Sequence, residues 1–327
     1  ARRPMDLAKN TVRSQTQNHA VCPMCPGNEH MTPPAVLVYL PSPDGSLIKT
    51  KDKDDLRHKN WLIRCVPNLY PAFSPPKNAD EAGADVLRSD NFGYAVGHHE
   101  VLIESPDHNA HPPDVTPQQL VHIINAYKDR LSALSQKPYV GYVQIFRNHG
   151  IAAGASQPHP HSQIITTSFT PPKICQEIAA AKGYWETHKE CLMCSIVRNE
   201  SQTPRSITSS EHFEVIAPYA SVHPMEYWII PKRHSLNILD LTPAETADFA
   251  HMLKASLKAL KDLINDPPYN FSFHITLNKD ASDYYHWSLQ VYPALTTWAG
   301  FEKSTGIYIN TIKPEIAAAE LRKMLTR

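Results

Sequence analysis

Several things are scarce in this 327-residue chain, and each scarcity removes a class of protein. Net charge is absent: 32 Lys and Arg balance 32 Asp and Glu, so the cationic excess with which a general nucleic-acid binder neutralises phosphates is missing. No apolar run approaches the roughly 18 residues that a membrane span needs, and a soluble, cytoplasmic chain is expected. Ala1-Arg2-Arg3-Pro4 has no apolar stretch behind it and is not read as a secretory signal; without an initiator Met, the start is expected to be processed or trimmed. Glycine is sparse, 11 residues against 29 Pro, which points to rigid, extended connections. What is plentiful is histidine, 18 in all, within a chain long enough for one large or two medium domains.

Cysteine is scarce but ordered. Four of the six fall into two C-x-x-C pairs, Cys22-Pro-Met-Cys25 and Cys191-Leu-Met-Cys194, where random placement would give roughly 0.11 such pairs. A redox pair or a structural disulfide is the plainer reading. Neither pair leads into a thioredoxin-like strand and helix, and no secretory signal supports disulfides. Two thiolates three residues apart make half of a tetrahedral zinc site and need two more ligands.

An internal repeat supplies them. Val101-Leu-Ile-Glu-Ser-Pro-Asp-His108 parallels Tyr227-Trp-Ile-Ile-Pro-Lys-Arg-His234, each a β-rich run ending in a polar loop and a histidine. Asp114-Val-Thr-Pro117 and Asp240-Leu-Thr-Pro243 then carry the same helix-start signal, a polar cap with Pro in the first turn. Helices are expected over Gln118 to Leu134 and Ala244 to Leu263; in the second, Phe249, Met252, Leu253, Leu257 and Leu260 recur at helical spacing. Strand-like runs follow, Tyr139 to Phe146 and Tyr269 to Leu277, leading to Asn148 and Asn278. Finally His159-Pro-His161-Ser-Gln163 matches His286-Trp-Ser288-Leu-Gln290. The distance from His108 to His159 is 51 residues and from His234 to His286 it is 52, which indicates duplication.

Each half is therefore expected to place two Cys and two His on one metal: Cys22, Cys25, His108 and His159 in the first, Cys191, Cys194, His234 and His286 in the second. Two zinc ions per chain are expected, with iron the alternative in the second site, and such binding contributes on the order of 10–16 kcal/mol to folding. The halves divide at residues 1–170 and 171–327, with Phe169 to Lys189 as the boundary stretch. Both are expected to be α+β, an antiparallel sheet with one long helix packed on it. Residues 30 to 90, rich in Pro, Asp and Lys, read as an insertion that the second half lacks. Within them the mixed charge run Lys51 to Lys59 reads as a solvated loop. Cys65 and Cys175 have no partner motif, and Trp287 reads as core.

The halves differ at one position of chemical interest. A lone H-x-H means little, because 18 histidines yield roughly one by chance. Here it sits behind Asn148-His-Gly150 and Gly154-Ala-Ser156, where small residues let the backbone approach an anion and Asn148, Ser156 and Gln163 supply neutral donors. The repeat assigns His159 to metal and leaves His161 free, while its counterpart is Ser288. An imidazole largely neutral at pH 7, beside phosphate-binding donors, suits nucleophilic attack on phosphorus.

Taken with Arg2-Arg3-Pro4, Cys22-Pro-Met-Cys25-Pro-Gly-Asn-Glu29, Arg64-Cys-Val-Pro-Asn-Leu-Tyr-Pro71, Ser105-Pro-Asp-His108, Gly154 to Gln163 and Gly300-Phe-Glu302, the chain resembles the galactose-1-phosphate uridylyltransferase branch of the histidine-triad superfamily. The resemblance implies two tandem histidine-triad-like repeats and a ping-pong enzyme in which His161 forms a covalent nucleotidyl-histidine. It implies that Gln163 binds the phosphoryl group and that Arg2, Arg3, Asn68, Asn148 and Ser156 line the nucleotide site. Phe301 and Glu302 would reach the sugar phosphate, often across a homodimer interface. The substrates implied are a nucleotide sugar and a sugar 1-phosphate. Some members build the second metal site from a carboxylate and several histidines; the cysteine pair upstream of His286-Trp-Ser-Leu-Gln290 is also similar to the ADP-glucose phosphorylase relatives, which pass adenylyl to phosphate. A hydrolase is a weaker fit, because hydrolases of the superfamily carry a further histidine where Gln163 stands. A zinc-stabilised binding protein would leave His161 and its donors without a purpose.

Overall fold

The duplicated sequence pattern builds duplicated elements. A computed structural model describes residues 22–44, 46–78, 81 and 95–326, so Arg2 and Arg3 lie outside the described residues. The strands are β1 (Leu37–Pro41), β2 (Leu47–Thr50), β3 (Ile63–Pro67), β4 (His99–Ile103), β5 (Tyr142–His149), β6 (His161–Thr167), β7 (Ser206–Ser209), β8 (Phe213–Ile216), β9 (Tyr227–Pro231), β10 (Tyr269–His274) and β11 (Ser288–Pro293). The helices are α1 (Pro117–Ser135), α2 (Pro172–His188), α3 (Leu192–Glu200), α4 (Pro243–Ile264), α5 (Gly300–Thr305) and α6 (Pro314–Leu325). Among the described residues, no helix is long and apolar enough to cross a membrane.

The two Thr-Pro signals start α1 and α4 as expected. The Thr116 hydroxyl accepts from the Gln119 amide, and the Thr242 hydroxyl from the Glu245 amide, satisfying donors that the first turn leaves unpaired. Glu245 reaches back to the Thr242 amide at 2.8 Å and closes a capping box. Both helices extend one residue beyond the expected range at each end.

The two expected sheets form one. Eleven antiparallel strands run in the order β2-β1-β3-β4-β6-β5-β10-β11-β9-β8-β7, and the halves join where β5 pairs with β10, from His149 opposite Tyr269 to Phe146 opposite Ser272. Read outwards from that seam, the order is β5-β6-β4-β3-β1 on one side and β10-β11-β9-β8-β7 on the other, with β2 outside the match. Residues 30 to 90 are therefore not an insertion peculiar to the first half: β3 and β1 occupy the places of β8 and β7. Among the described residues, the Pro and Asp that made the stretch look loose lie largely between strands whose own residues, Leu37-Val-Tyr39 and Ile63 to Val66, are buried.

Strand alternation gives the sheet two different faces. One face packs against α1 and α4 through a continuous core that includes Leu102, Val143, Ile145, Ile164, Phe271, Phe273, Leu289 and Val291. Burial of each such side chain contributes about 1.5–3 kcal/mol. Trp287 is in this core, fully buried against Phe249 at 5.5 Å, and its indole N–H donates to Ser235 Oγ at 2.8 Å. Among the described residues, the opposite face carries two small apolar clusters. Met24, between the first pair of cysteines, packs on the one containing Val38, Val66 and Val101; Met193, between the second pair, packs on Val197, Ile216 and Ile230. Each C-x-x-C segment, a turn in the first half and the start of α3 in the second, thus packs on the sheet through its own methionine.

The run Lys51 to Lys59 is not wholly solvated. Asp52 is buried and accepts from the Ala35 and His58 amides at 2.9 and 3.0 Å and from Arg64 Nη2 at 2.5 Å. Burial pushes its carboxyl up, but the His58 and Ala35 amides and the Arg64 guanidinium outweigh that and hold it below the usual carboxylate value. Asp52→Asn is expected to lower the unfolding free energy by about 3 kcal/mol at neutral pH, because it leaves Arg64 buried without its counter-charge. Since the native carboxyl is depressed below 3.8, the gap between wild type and variant is present above that pH and closes as the pH falls further. Denaturant titrations at several pH values check this, and equal midpoints at pH 7 would refute it.

Candidate active site

The loops after β4 and β9 and the ends of β6 and β11 bring the predicted ligands together twice. Cys22, Cys25, His108 and His159 form one group and Cys191, Cys194, His234 and His286 the other, with the donor atoms of each group within 4.8 Å of one another. In the first, Cys25 Sγ lies 3.3 Å from His108 Nδ1 and 3.6 Å from His159 Nδ1, and the two Nδ1 atoms are 3.4 Å apart. In the second, Cys194 Sγ lies 3.4 and 3.3 Å from the Nδ1 atoms of His234 and His286. A tetrahedron with metal–sulfur bonds of about 2.3 Å and metal–nitrogen bonds of about 2.0 Å has edges close to 3.5 Å, so these donor sets fit a zinc-sized ion.

The surroundings support the same use. His159 Nε2 and His234 Nε2 donate to the carbonyls of Ser105 and Ser282 at 2.8 and 2.7 Å, which leaves Nδ1 as the metal-facing nitrogen in both clusters. Burial and the adjacent Cys22 push the Cys25 thiol up to about 11. Cys191 is held well below the usual thiol value by its bond with Cys194, and Cys194 well above it, so that pair shares one proton in the absence of a cation. Two thiolates in either place need a positive partner.

His161 is the first residue of β6, on the face away from α1 and α4. Its Nδ1–H donates to the His159 carbonyl at 2.8 Å, which leaves the Nε2 lone pair available. Burial pushes its pKa down against the opposing pull of that carbonyl and of Glu104, so the ring is neutral at pH 7. Behind it, on the helix face, Arg147 Nε donates to Glu104 at 3.0 Å, Glu104 accepts from the Ser162 hydroxyl, and the Tyr127 and Ser162 hydroxyls are 2.6 Å apart. This buried network fixes β6 to α1 and to the loop after β4.

Gln163 shares the face of His161, two residues along β6. Its Oε1 lies 2.8 Å from His99 Nε2, and His99 also lies against Asn68, whose backbone N–H donates to the His99 carbonyl at 2.8 Å. His99 was not a sequence candidate; its proximity to Gln163 depends on β4–β6 register, in which His99 faces Ile165 and Val101 faces Gln163. Asn148 lies on β5 beside His161, one residue beyond the Arg147–Ser162 pair. Asn270 Nδ2 donates to Asn148 Oδ1 at 2.8 Å and to the Ala153 carbonyl at 2.7 Å, so a residue of the second half orients the Asn148 amide and leaves its N–H groups free to donate. Nothing in the sequence marked Asn270. The following loop turns through Gly150 (φ 79°) and Gly154 (φ 85°) and leaves Ser156 exposed. A Cβ on Gly150 would stand 2.9 Å from Pro268 Cβ, so glycine is needed there for space as well as for φ.

The second half has the scaffold without the imidazole. Ser288 is at the place of His161, and Gln290 donates to Ser288 Oγ at 3.2 Å while accepting from the Tyr292 hydroxyl. The register puts His274, opposite Ser288, in the place of Asn148. Asn278 is not its equivalent: it lies beyond β10 and caps a short turn by accepting from the Asp280 amide at 3.0 Å. A cavity of about 960 Å³ covers this strand and includes the carboxylates Glu177 and Glu226 in its wall. Phe301, half exposed, and Glu302, whose carboxylate accepts from the Ala299 amide at 3.1 Å, are on α5 near Trp298 and Tyr308 of the same cavity.

Fold and site together are those of a nucleotidyltransferase built on a duplicated α+β scaffold. The family model for the galactose-1-phosphate uridyl transferase N-terminal domain matches residues 64–171, and that for the C-terminal domain matches residues 177–299. An ADP-glucose phosphorylase of Arabidopsis thaliana is 32% identical over 99% of this chain and 88% of its own length. A galactose-1-phosphate uridylyltransferase of Thermotoga maritima is 32% identical over 78% of this chain and 82% of its own. The crystal structure of an Arabidopsis thaliana ADP-glucose phosphorylase with bound ADP-glucose superposes with a TM-score of 0.79 at 33% identity, covering 92% of this chain and 90% of the other. The chain belongs to the galactose-1-phosphate uridyl transferase family.

His159→Ala is expected to remove one bound metal ion per chain and to lower the thermal midpoint with it. Elemental analysis beside a melting curve checks this; an unchanged metal count would sink the ligand assignment.

Proposed function

We propose that the chain transfers a nucleotidyl group between phosphate acceptors through a covalent intermediate on His161. The observation that carries this reading is the His161 Nδ1 bond to the His159 carbonyl at 2.8 Å, which fixes the tautomer with a lone pair on Nε2. Nε2 attacks the α-phosphorus of a nucleoside-diphosphate sugar, the P–N bond forms, and the P–O bond to the departing sugar 1-phosphate breaks with its electron pair on oxygen. The positive charge then gained by the ring is stabilised by the His159 carbonyl. In the second half-reaction a phosphate oxygen of the acceptor attacks the same phosphorus and the P–N pair returns to His161.

Gln163 and Asn148 donate to the non-bridging oxygens, and Asn68, Ser156, Arg2 and Arg3 hold the nucleotide. Residues 1–170 perform the chemistry and 171–327 brace it. Both clusters hold structural zinc; two thiolates and two imidazoles suit zinc better than iron in the second as well. Phe301 and Glu302 reach the sugar phosphate of a second copy in a homodimer. Reduced cysteine pairs and a nucleotide-sugar substrate suit the cytoplasm.

The substrates that fit are UDP-glucose and galactose 1-phosphate, the uridylyl transfer for which the family is named. A second reading, adenylyl transfer from ADP-glucose to inorganic phosphate, is favoured by a specific observation: the ADP-glucose phosphorylase relative spans 99% of this chain. Intact-mass spectrometry after brief incubation with either donor separates them. One nucleotidyl mass gained by wild type and absent in His161→Asn is the expected result, and the added mass names the base. A chain that accepts no label from either donor would overturn the covalent mechanism.

A further inference from the structure

We propose that His99 is a positioning residue for this transfer, holding the Gln163 side-chain amide in the one flip that turns its N–H groups toward the phosphoryl group on His161. The inference rests on the nucleotidyl-histidine reading and adds to it a residue that acts only through Gln163.

The geometry leaves a single tautomer. The Ala72 backbone N–H donates to His99 Nδ1 at 3.1 Å, so Nδ1 is an acceptor and carries no proton. The proton of the neutral ring is then on Nε2, and the acceptor at 2.8 Å is Gln163 Oε1. With its oxygen engaged, the Gln163 amide presents its two N–H donors elsewhere; the reverse flip would set N–H against N–H. Asn68 Nδ2, 3.1 Å from the same Nε2, cannot accept that proton, and its own Oδ1 is occupied by the Tyr70 amide at 2.9 Å. Burial pushes the His99 pKa down, against the pull of its bond to Gln163, which keeps the ring neutral at pH 7.

The second half provides a control within the molecule. Val101 faces Gln163 across β4–β6, and Trp228 faces Gln290 across β9–β11, so the place of His99 is taken there by Glu226. Glu226 accepts from the Val222 and His223 amides at 2.8 and 3.0 Å and from Trp228 Nε1 at 3.0 Å, while Gln290 is held by Tyr292 and Ser288. The histidine–glutamine bond is found in the half that has the imidazole and not in the half that lacks it.

Single-turnover labelling of the full, metal-loaded chain with UDP-glucose and with ADP-glucose tests this. His99→Phe is expected to slow nucleotidylation on the order of ten-fold with donor affinity unchanged, and His99→Gln, whose amide can donate as Nε2 does, to recover most of the rate. In a Gln163→Ala background His99→Phe is expected to change the rate less than about two-fold, since the residue it positions is gone. Should His99→Phe fail to fold, as judged by metal content and melting, His99→Asn replaces it, being too short to reach Gln163. A wild-type rate in His99→Phe or His99→Asn, or losses that multiply in the double variant, would overturn the proposal alone. Absence of label in wild type would sink the covalent reading and this proposal with it.

Discussion

The arrangement of the site depends on one residue, His159, bonded at three points. Its Nδ1 faces the Cys22–Cys25–His108 cluster, its Nε2 is tied to the Ser105 carbonyl, and its own carbonyl accepts the Nδ1 proton of His161. The metal cluster and the candidate nucleophile are therefore consecutive parts of one strand entry. A ligand needs a locked ring, and locking the ring of His159 also locks the peptide that selects the His161 tautomer. The cluster is thereby coupled to the orientation of His161: disorder at His159 would free His161 to rotate, and a lone pair that points elsewhere is not a nucleophile.

Duplication gave the chain two such scaffolds, and the β5–β10 seam made them dependent on each other. Asn270, from the second half, fixes the Asn148 amide in the first. Once that bracing exists, the second half need only keep its fold and its Cys/His cluster, and its strand face can change. There, Glu177 accepts from His274 Nδ1 at 2.9 Å, His274 Nε2 and the Tyr292 hydroxyl are 2.8 Å apart, and Tyr292 bonds Gln290. In the second half the groups on this face thus bond one another. That surface has Ser288 in place of an imidazole, and carboxylates in the cavity wall that would repel a phosphate.

The two Cys/His groupings were legible in the sequence because chelation demands particular residue types at particular spacings, and the 51- and 52-residue intervals recorded the duplication directly. The helix starts were legible for a similar reason: Thr followed by Pro satisfies a local rule. What the sequence hid was everything decided by strand register. His99 sits among 18 histidines with no motif around it, and its relation to Gln163 exists only after β4 and β6 pair. The same holds for Asn270, and for the mistaken match of Asn278 with Asn148, where counting along the chain passed beyond the end of β10. Asp52 shows the other limit. A charge run reads as solvated until the fold supplies Arg64 and two backbone amides, a pairing between residues that no periodicity connects.

The side chains that share the face of His161 also bear on what can resolve the proposed intermediate there. Water attacking phosphorus needs a base to take its proton, whereas a phosphate monoester or inorganic phosphate arrives with an anionic oxygen and needs none. Gln163 can donate but has no basic nitrogen. His99, the nearest additional imidazole by hydrogen bonding, has its Nδ1 lone pair occupied by the Ala72 amide and carries its proton on Nε2 toward Gln163, so it cannot accept one from water. Among the described residues on this face, Gln163 and His99 offer donors and no base, an arrangement that favours acceptors already charged. The protons placed by two backbone groups, the Ala72 N–H and the His159 C=O, are those that the proposed transfer needs.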